Sequence, residues 1–320
     1  MPQPIEPQVI QLVPGAPAIP QFGFGAWQWG DRLLWNYGTG EFSDEDLRAA
    51  YAAAIEAGVN FFDTAEVYGE GRSETLLGKF IADSSAPRPL VASKFAPFPT
   101  RLRKQALLNA LQASLDRLAI DCIDLYQIHF PPFWLGDDRW LEAMAEAVSR
   151  GLIRGIGVSN YSEVQTRRAH ARLKALGLPL LANQVEYSLL ERSPEREGLL
   201  KLCEELGVQT IAYSPLAKGL LSGKYTSENP PPGLRGRRTT AAQLAALPDF
   251  IALLRQVGDA HGGKTPAQVS LNWIICKGAI PIPGVKNAAQ TIACLGALGW
   301  RLSPNDIETL DQAALNLPRG

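Results

Sequence analysis

The sequence predicts an α/β protein built as a (β/α)8 TIM barrel, and three observations support this. From about residue 20 onward, short apolar runs alternate with longer helical patterns, and eight of these runs have the length and composition of buried strands. That alternation favours a parallel sheet closed into a barrel. No repeat, charge block or linker divides the 320 residues, so we expect one barrel domain over residues 1–320.

The eight expected strands begin after a short N-terminal segment. They are Phe22–Ala26, Asn60–Asp63, Leu90–Lys94, Ile123–His129, Ile153–Ser159, Leu181–Glu186, Gln209–Tyr213 and Ala279–Pro283. Before them, Val9–Val13 and Ala18–Ile19 flank Pro14–Gly15, which predicts a β-hairpin that closes the bottom of the barrel. Pro20 restricts the second strand of this hairpin to an edge position.

Polar caps mark several helix starts. Ser43 precedes three acidic residues, which predicts a helix that runs to Ala57 and ends before Gly58. Ser73 is followed by a glutamate, and Ser303 by a proline, so each indicates a further start. The irregular stretch 214–240 is too long for an ordinary connection. It predicts a long βα loop at the C-terminal face of the barrel, where ligand pockets form.

Composition excludes several classes of function. Lys plus Arg (31) nearly cancel Asp plus Glu (32), so no excess of basic residues indicates nucleic-acid binding. The apolar stretches are shorter than a membrane span, and the first ten residues lack the pattern of a signal peptide. We therefore expect a cytoplasmic protein. Four cysteines without CxxC spacing and only three histidines argue against disulfides and against a metal site.

Four polar residues form the candidate catalytic set. Asp63, Lys94 and His129 end three expected strands, and Tyr68 lies in the loop that follows the first of them. Each alone has an ordinary structural explanation, because carboxylates and lysines commonly pair at a barrel rim. When several such groups face inward on adjacent strands, they must form hydrogen bonds with one another or with a ligand, because burial of an unpaired polar group is costly. Ser159, Asn160, Gln184, Glu186, Tyr213 and Ser214 also lie near strand ends.

Carbonyl reduction is the chemistry that suits these four groups. A tyrosine titrates near ~10, and we expect the Lys94 ammonium to lower the pKa of Tyr68 so that it can act as the proton donor. Asp63 would hold Lys94 through a charged hydrogen bond, and a neutral His129 would orient the substrate carbonyl. Such proton transfer is typically worth ~10²–10⁴-fold. A cofactor must supply the hydride, because no side chain can do so.

Four segments resemble signatures of the aldo-keto reductase superfamily over nearly the whole chain. They are residues 58–78, containing Asp63 and Tyr68; 154–161, reading RGIGVSNY; 213–225, reading YSPLAKGLLSGKY; and 282–287, reading IPGVKN. The form YGxGxSE resembles the bacterial, plant and channel-subunit branch, and the first loop is similar to cyanobacterial and plastid members. The resemblance implies a barrel enzyme that binds NADPH across its mouth. No strand leads into GxGxxG, which argues against a Rossmann cofactor site.

The resemblance also implies which residues contact the cofactor. Ser159, Asn160 and Gln184 would hold the carboxamide, Tyr213 would stack on the nicotinamide, and Lys286 would meet the 2′-phosphate. The full expected set is Trp27, Asp63, Ser159, Asn160, Gln184, Tyr213, Ser214, Pro215, Leu216, Gly219, Lys224, Arg235, Gly284, Lys286 and Gln290.

Two positions depart from the family pattern. Members of this branch often carry Glu-Asn where this chain has Ala293-Cys294, next to the expected adenine. Loss of both polar groups would weaken cofactor binding or loosen selectivity for the 2′-phosphate, and both alternatives stay open. Arg235 or Arg237 in the long loop could compensate with a positive charge.

Aromatic residues in the expected loops predict a mouth suited to a flat or apolar aldehyde. These are Trp27, Trp29, Trp35, Phe95, Phe98, Phe133 and Trp134. Core packing is an equally good explanation for any one of them. Some plastid and cyanobacterial relatives reduce pyridoxal, which makes pyridoxal one candidate substrate.

Two rival functions are considered. The first is a regulatory subunit that senses NADPH on the same fold with little or no turnover. His129 favours an enzyme, because channel-associated relatives replace that histidine. The second is a barrel hydrolase with paired carboxylates such as Asp63, Glu66 and Glu186, which would leave Tyr68 and Lys94 without a role. The physiological substrate, the reaction direction and the oligomeric state stay open.

Overall fold

Eight parallel strands form a nearly closed barrel in the computed structural model, which describes residues 8–132, 136–232 and 239–318. The strands, numbered β3 to β10 in chain order, are Phe24–Gly25, Phe61–Asp63, Leu90–Phe95, Ile123–Ile128, Ile153–Ser159, Leu180–Glu186, Gln209–Tyr213 and Ile280–Pro281. Their order in the sheet is their order in the chain. The predicted (β/α)8 barrel is therefore confirmed.

The first and last strands are shorter than predicted, with two residues each. The backbone N–H groups of Gly23 and Gly25 donate to the carbonyl oxygens of Pro281 and Pro283, both at 3.1 Å. Proline has no N–H to return such a bond, so regular pairing cannot extend along this seam. A parallel bridge between Gly25 and Gly284 brings the two edges of the barrel together.

The predicted hairpin at the N-terminus is present. Strand β1 (Val9–Ile10) pairs antiparallel with β2 (Ile19–Pro20), and Pro20 lies at its end opposite Val9. Val13 and Ile19 pack in one buried cluster with barrel residues such as Phe61. The hairpin thus seals one end of the barrel interior, which leaves the other end for a pocket.

Helices alternate with the strands. Those described, numbered α1 to α11, are Asp44–Glu56, Arg72–Ala82, Lys104–Leu118, Asp138–Ser149, Glu163–Ala175, Ser193–Arg196, Leu199–Leu206, Ala241–Ala260, Pro266–Cys276, Ala288–Leu295 and Pro304–Leu315. Ser43 and Ser303 cap α1 and α11 with reciprocal capping boxes, as predicted. In α1 the last helical residue is Glu56, and Gly58 follows with a φ of 79°.

Ser73 does not cap a helix, contrary to the prediction. Helix α2 begins one residue earlier, after Gly71, and Ser73 lies buried inside it. Its hydroxyl donates to the carbonyl oxygen of Ala26 at 2.7 Å and contacts Thr64 Oγ1 at 2.8 Å. Ser73 therefore ties α2 to the loops after β3 and β4. Among the described residues, no helix is long and apolar enough to cross a membrane.

Candidate active site

A cavity of about 860 Å³ lies at the C-terminal ends of the strands. Sixteen of the predicted catalytic or cofactor residues line it: Trp27, Asp63, Tyr68, His129, Ser159, Asn160, Gln184, Tyr213, Ser214, Pro215, Leu216, Gly219, Lys224, Gly284, Lys286 and Gln290. Lys94 does not line the cavity and lies fully buried behind Asp63 and Tyr68. Arg235 and Arg237 lie outside the described residues.

Lys94 joins Asp63 and Tyr68 into one hydrogen-bonded group. Its ammonium forms an ion pair with Asp63 and donates to Thr64 O at 2.9 Å and to the Tyr68 hydroxyl at 3.2 Å. Asp63 is 1% exposed and Lys94 is fully buried. Because both charges are removed from water, solvent screens their mutual attraction only weakly.

The chain reaches this arrangement through a tight turn. Asp63 ends β4, and residues 68–71 form a short 3-10 segment that returns Tyr68 to the barrel mouth. Gly69 has a φ of 56°, and a Cβ there would lie 2.5 Å from the backbone of Gly30. Only glycine permits this close approach between the first two βα loops, so Gly69 sets the position of Tyr68.

The second carboxylate oxygen of Asp63 is also occupied. Gln184 Nε2 donates to it at 2.8 Å and Gln127 Nε2 at 3.1 Å. Gln184 is one of the predicted cofactor residues, whereas Gln127 is not among the predicted site residues. The available signal was a polar residue inside the apolar run Ile123–Ile128. Together with Lys94, the two amides fully engage the carboxylate and hold its orientation.

The predicted lowering of the Tyr68 pKa is wrong for this structure. Burial, followed by the nearby Asp63 carboxylate, raises the pKa of Tyr68 well above its usual value. Burial also lowers the pKa of Lys94, although Asp63 opposes this. The pKa of Tyr68 therefore rises despite the 3.2 Å contact between Lys94 and the phenol. The phenol is protonated at neutral pH and has a proton to donate.

His129 is neutral, as predicted. Burial, and then the Lys94 ammonium, lower the pKa of His129 from 6.5 to about 3. Its ring packs edge-on against Tyr68 with centroids 5.6 Å apart. Nδ1 has no hydrogen-bond partner within the described part of the chain, so the ring keeps a polar atom for other use.

The strand ends across the cavity are linked to His129. Asn160, with a φ of 61°, donates from Nδ2 to the His129 carbonyl oxygen at 3.1 Å. Its Oδ1 accepts from the Tyr213 hydroxyl at 2.9 Å. Ser159 Oγ donates to the Gln184 carbonyl oxygen at 2.9 Å. Ser159, Asn160, Gln184 and Tyr213, predicted to surround one ring of a cofactor, are therefore brought together.

The far part of the cavity suits an anionic ligand. Lys218, Lys224, Lys286 and Asn287 line the cavity, and Asn287 caps the start of α10. Lys218 pairs with Glu186 at 2.7 Å, and Lys286 pairs with Glu41 at 3.2 Å. A helix N-terminus and ammonium groups are the usual partners of phosphate. Lys218 and Gly219 adopt left-handed backbone conformations, with φ of 56° and 99°. The cavity volume of about 860 Å³ and the three lysines in its wall leave room and positive charge for a phosphorylated cofactor.

Of the aromatic residues predicted for the substrate mouth, Trp27 and Trp35 line the cavity, whereas others lie in the core. Trp27 stacks against Tyr68 with centroids 6.0 Å apart, and Trp35 packs edge-on against Trp27 at 5.9 Å. Trp29 and Phe95 are fully buried in the core, so core packing, the alternative left open for each residue, is correct for these two. The Trp29 ring packs against Phe62 and Phe80, and the Phe95 ring packs against Trp140. The direction of a side chain beyond a strand end cannot be predicted from hydrophobic periodicity. Phe98 is 42% exposed, and Phe133 and Trp134 lie outside the described residues.

Comparison with known proteins identifies the family. Residues 21–315 match the model described as the aldo/keto reductase family. The chain is 40% identical to pyridoxal reductase, chloroplastic, from Arabidopsis thaliana, over 95% of this chain and 86% of that protein. It is 30% identical to aldo-keto reductase yakc, NADP(+), from Schizosaccharomyces pombe, over 94% of this chain and 90% of that one.

A solved structure agrees with these sequence matches. A thermostable aldo-keto reductase, Tm1743, shares 32% identity and superposes with a TM-score of 0.77, over 96% of this chain and 99% of that one. Sequence, fold and the polar groups at the barrel mouth lead to the same assignment. The chain belongs to the aldo/keto reductase family of oxidoreductases.

Proposed function

We propose that this protein, as a single barrel domain, uses NADPH to reduce aldehydes or ketones to alcohols. The observation that carries the proposal is the group formed by Asp63, Lys94, Tyr68 and His129 on the cavity wall. A hydrolase with paired carboxylates is disfavoured, because Asp63 is fully engaged by Lys94 and two amides and Glu66 is held by Arg101.

The four residues have distinct roles in this proposal. Bound NADPH would supply a hydride to the carbonyl carbon. Tyr68 donates its phenolic proton to the carbonyl oxygen, and its high pKa keeps that proton in place until charge develops on the oxygen. Lys94 donates to the Tyr68 oxygen and stabilises the phenolate that results. Neutral His129 would donate a hydrogen bond from its ring N–H to the carbonyl oxygen beside Tyr68 and so orient the carbonyl.

Residues around the rest of the cavity would hold the cofactor. Ser159, Asn160 and Tyr213 would contact the nicotinamide end. Lys224 and Lys286, with the start of α10, would bind the phosphates. The name of the yeast relative specifies NADP(+), which supports the choice of NADPH.

Pyridoxal is our candidate substrate within the aldehyde class. The Arabidopsis relative is named a pyridoxal reductase and aligns over nearly the whole of this chain. The stacked pair Trp27 and Tyr68 offers a flat aromatic surface next to the proposed acid, which suits a pyridine ring.

The name of the Arabidopsis relative specifies the chloroplast, and we retain the cytoplasm as the proposed location of this protein.

The Tyr68→Phe variant tests the proposed function. Removing only the hydroxyl should lower kcat for pyridoxal and other aldehydes by at least ~10²-fold, because the proton donor is lost. The Kd for NADPH, measured by fluorescence titration, should change little. Tyr126→Phe is the matched control, since it makes the same change at a tyrosine that is fully buried outside the cavity.

Three outcomes separate the alternatives. If Tyr68→Phe retains most of its activity, Tyr68 is not the acid and the mechanism is wrong. If the wild-type protein binds NADPH tightly but turns over no aldehyde, the nucleotide-sensing function replaces the reductase. If neither NADPH nor NADH binds, the cofactor assignment fails.

A further inference from the structure

We propose that Glu41 is a specificity-determining residue that competes with the 2′-phosphate of NADPH for the Lys286 ammonium. This inference rests on the proposed function, in which Lys286 contacts that phosphate. Its consequence is that Glu41 reduces the preference of this protein for NADPH over NADH.

Lys286 lies in a site built largely by the first βα loop. Its ammonium is 3.2 Å from Glu41 Oε2 and donates to the Trp35 carbonyl oxygen, also at 3.2 Å. It lies over the Phe42 ring at 4.5 Å from the centroid and over Trp35 at 5.7 Å. The Lys286 side chain is only 17% exposed. A carboxylate and two aromatic faces therefore surround this charge.

Glu41 is held in place by its own loop. Asn36 Nδ2 donates to Glu41 Oε1 at 2.8 Å, and Glu41 Oε2 lies 3.2 Å from the Lys286 ammonium. Asn36 has a φ of 56°, and Thr39 Oγ1 donates to its carbonyl oxygen at 2.8 Å. These contacts bring both oxygens of Glu41 to defined partners. The first loop therefore fixes the position of the Glu41 carboxylate next to Lys286.

Glu41 and the proposed phosphate site share one cavity. Glu41, Trp35, Phe42, Lys286 and Gln290 all line it. The Gln290 side chain accepts from the backbone N–H of Lys286 at 2.9 Å. A phosphate that reaches the Lys286 ammonium would meet the Glu41 carboxylate at close range, and two like charges at contact distance repel each other. The carboxylate must move into solvent, which is possible because its side chain is half exposed.

NADH carries no such penalty. It has a ribose 2′-hydroxyl where NADPH has a phosphate, and a carboxylate can accept a hydrogen bond from that hydroxyl. The Glu41–Lys286 pair can therefore persist when NADH is bound. Ala293 and Cys294 line the same cavity and offer no charged group to compensate for Glu41. The first loop thus lowers affinity for NADPH selectively.

The first test compares Glu41→Gln with wild type by fluorescence titration of NADPH and NADH. Glutamine keeps the size of the side chain and removes its charge. We expect the ratio of Kd for NADH to Kd for NADPH to rise about tenfold, equivalent to about 1.4 kcal/mol. Glu45→Gln is the control, because Glu45 is 83% exposed on α1 and pairs with Arg48. Its ratio should equal that of wild type.

The second test repeats Glu41→Gln in a Lys286→Ala background. Lys286→Ala should raise the Kd for NADPH more than that for NADH. With Lys286 absent, Glu41 has no ammonium to compete for. Glu41→Gln should then change the ratio of Kd for NADH to Kd for NADPH less than about threefold, because residues in contact have non-additive effects. An equal effect of Glu41→Gln in both backgrounds would overturn competition for Lys286 as the cause.

The outcomes also separate this inference from the proposed function. If Glu41→Gln leaves the ratio unchanged while Lys286→Ala weakens NADPH binding, the role of Glu41 is wrong and the cofactor assignment stands. If wild type binds neither nucleotide, the proposed function fails and the inference fails with it.

Discussion

The Asp63–Lys94 pair is the residue-scale feature on which the candidate site depends. Burying two charges is costly, and the cost is offset here because every polar atom of the Asp63 carboxylate has a partner. Lys94 in turn contacts the Tyr68 hydroxyl. The pair therefore contributes both to folding and to the proposed chemistry, and the two contributions can be separated by mutation.

A pair of substitutions separates them. Lys94→Met leaves the Asp63 carboxylate buried without its cation, which should cost about 3–5 kcal/mol of unfolding free energy. The double variant Asp63→Asn/Lys94→Met removes both charges and should recover at least half of that loss. Neither variant should reduce aldehydes at a measurable rate. Urea denaturation and a single-turnover assay measure the two quantities, and a double variant as unstable as Lys94→Met would contradict this account.

At the scale of elements, Gly78 sets the distance between α2 and α3. A Cβ at this position would lie 2.4 Å from the carbonyl oxygen of Leu118 at the end of α3. The contact is with backbone, which cannot rotate away as a side chain can. Helix α2 follows directly after the turn that carries Tyr68, so this crossing also supports one side of the candidate site.

The Gly78→Ala variant tests this crossing. Alanine favours a helix by about 1 kcal/mol relative to glycine. Forcing the helices apart costs about 1–3 kcal/mol, and a Cβ only 2.4 Å from backbone places this site at the upper end of that range. We expect a net loss of stability and a lower Tm in thermal denaturation. Lys79→Ala, at the exposed neighbouring position, is the control and should leave the Tm nearly unchanged. A stabilised Gly78→Ala protein would show that the crossing tolerates a methyl group.

At the scale of the whole molecule, the burial of His129 links folding to pH. Its pKa is lowered to about 3 in the folded protein, against 6.5 for a free imidazole. Below pH 6.5 the unfolded chain binds a proton at this position and the folded chain does not. Protonation therefore favours the unfolded state, and stability falls as the pH decreases from 6.5 towards 3.

The His129→Asn variant isolates this contribution. Wild type should lose up to about 1 kcal/mol of stability per pH unit from this one residue, a value limited because the ring is partly exposed to the cavity. The variant should therefore show a shallower decrease in unfolding free energy between pH 6.5 and pH 4. Parallel curves for the two proteins in urea denaturation would rule out His129 as the titrating group.

The amino-acid sequence by itself determined the barrel, the hairpin and the positions of Asp63, Tyr68, Lys94 and His129. Alternating apolar runs, capping residues and polar strand ends are local signals, and the closed barrel then brings strand ends together. Four segments that resemble family signatures support the barrel and the four site residues, because they occur in the expected order along the chain.

Only the tertiary structure decided which partners these residues have. Gln127 and Gln184 reach Asp63 because three strands present their inward faces to one point, and Trp29 and Phe95 turn into the core rather than to the mouth. The pKa of Tyr68 rises because burial, and then the nearby Asp63 carboxylate, disfavour the phenolate. Glu41 meets Lys286 across 245 residues of chain. Such long-range contacts and the loss of water depend on the whole fold, and no local pattern encodes them.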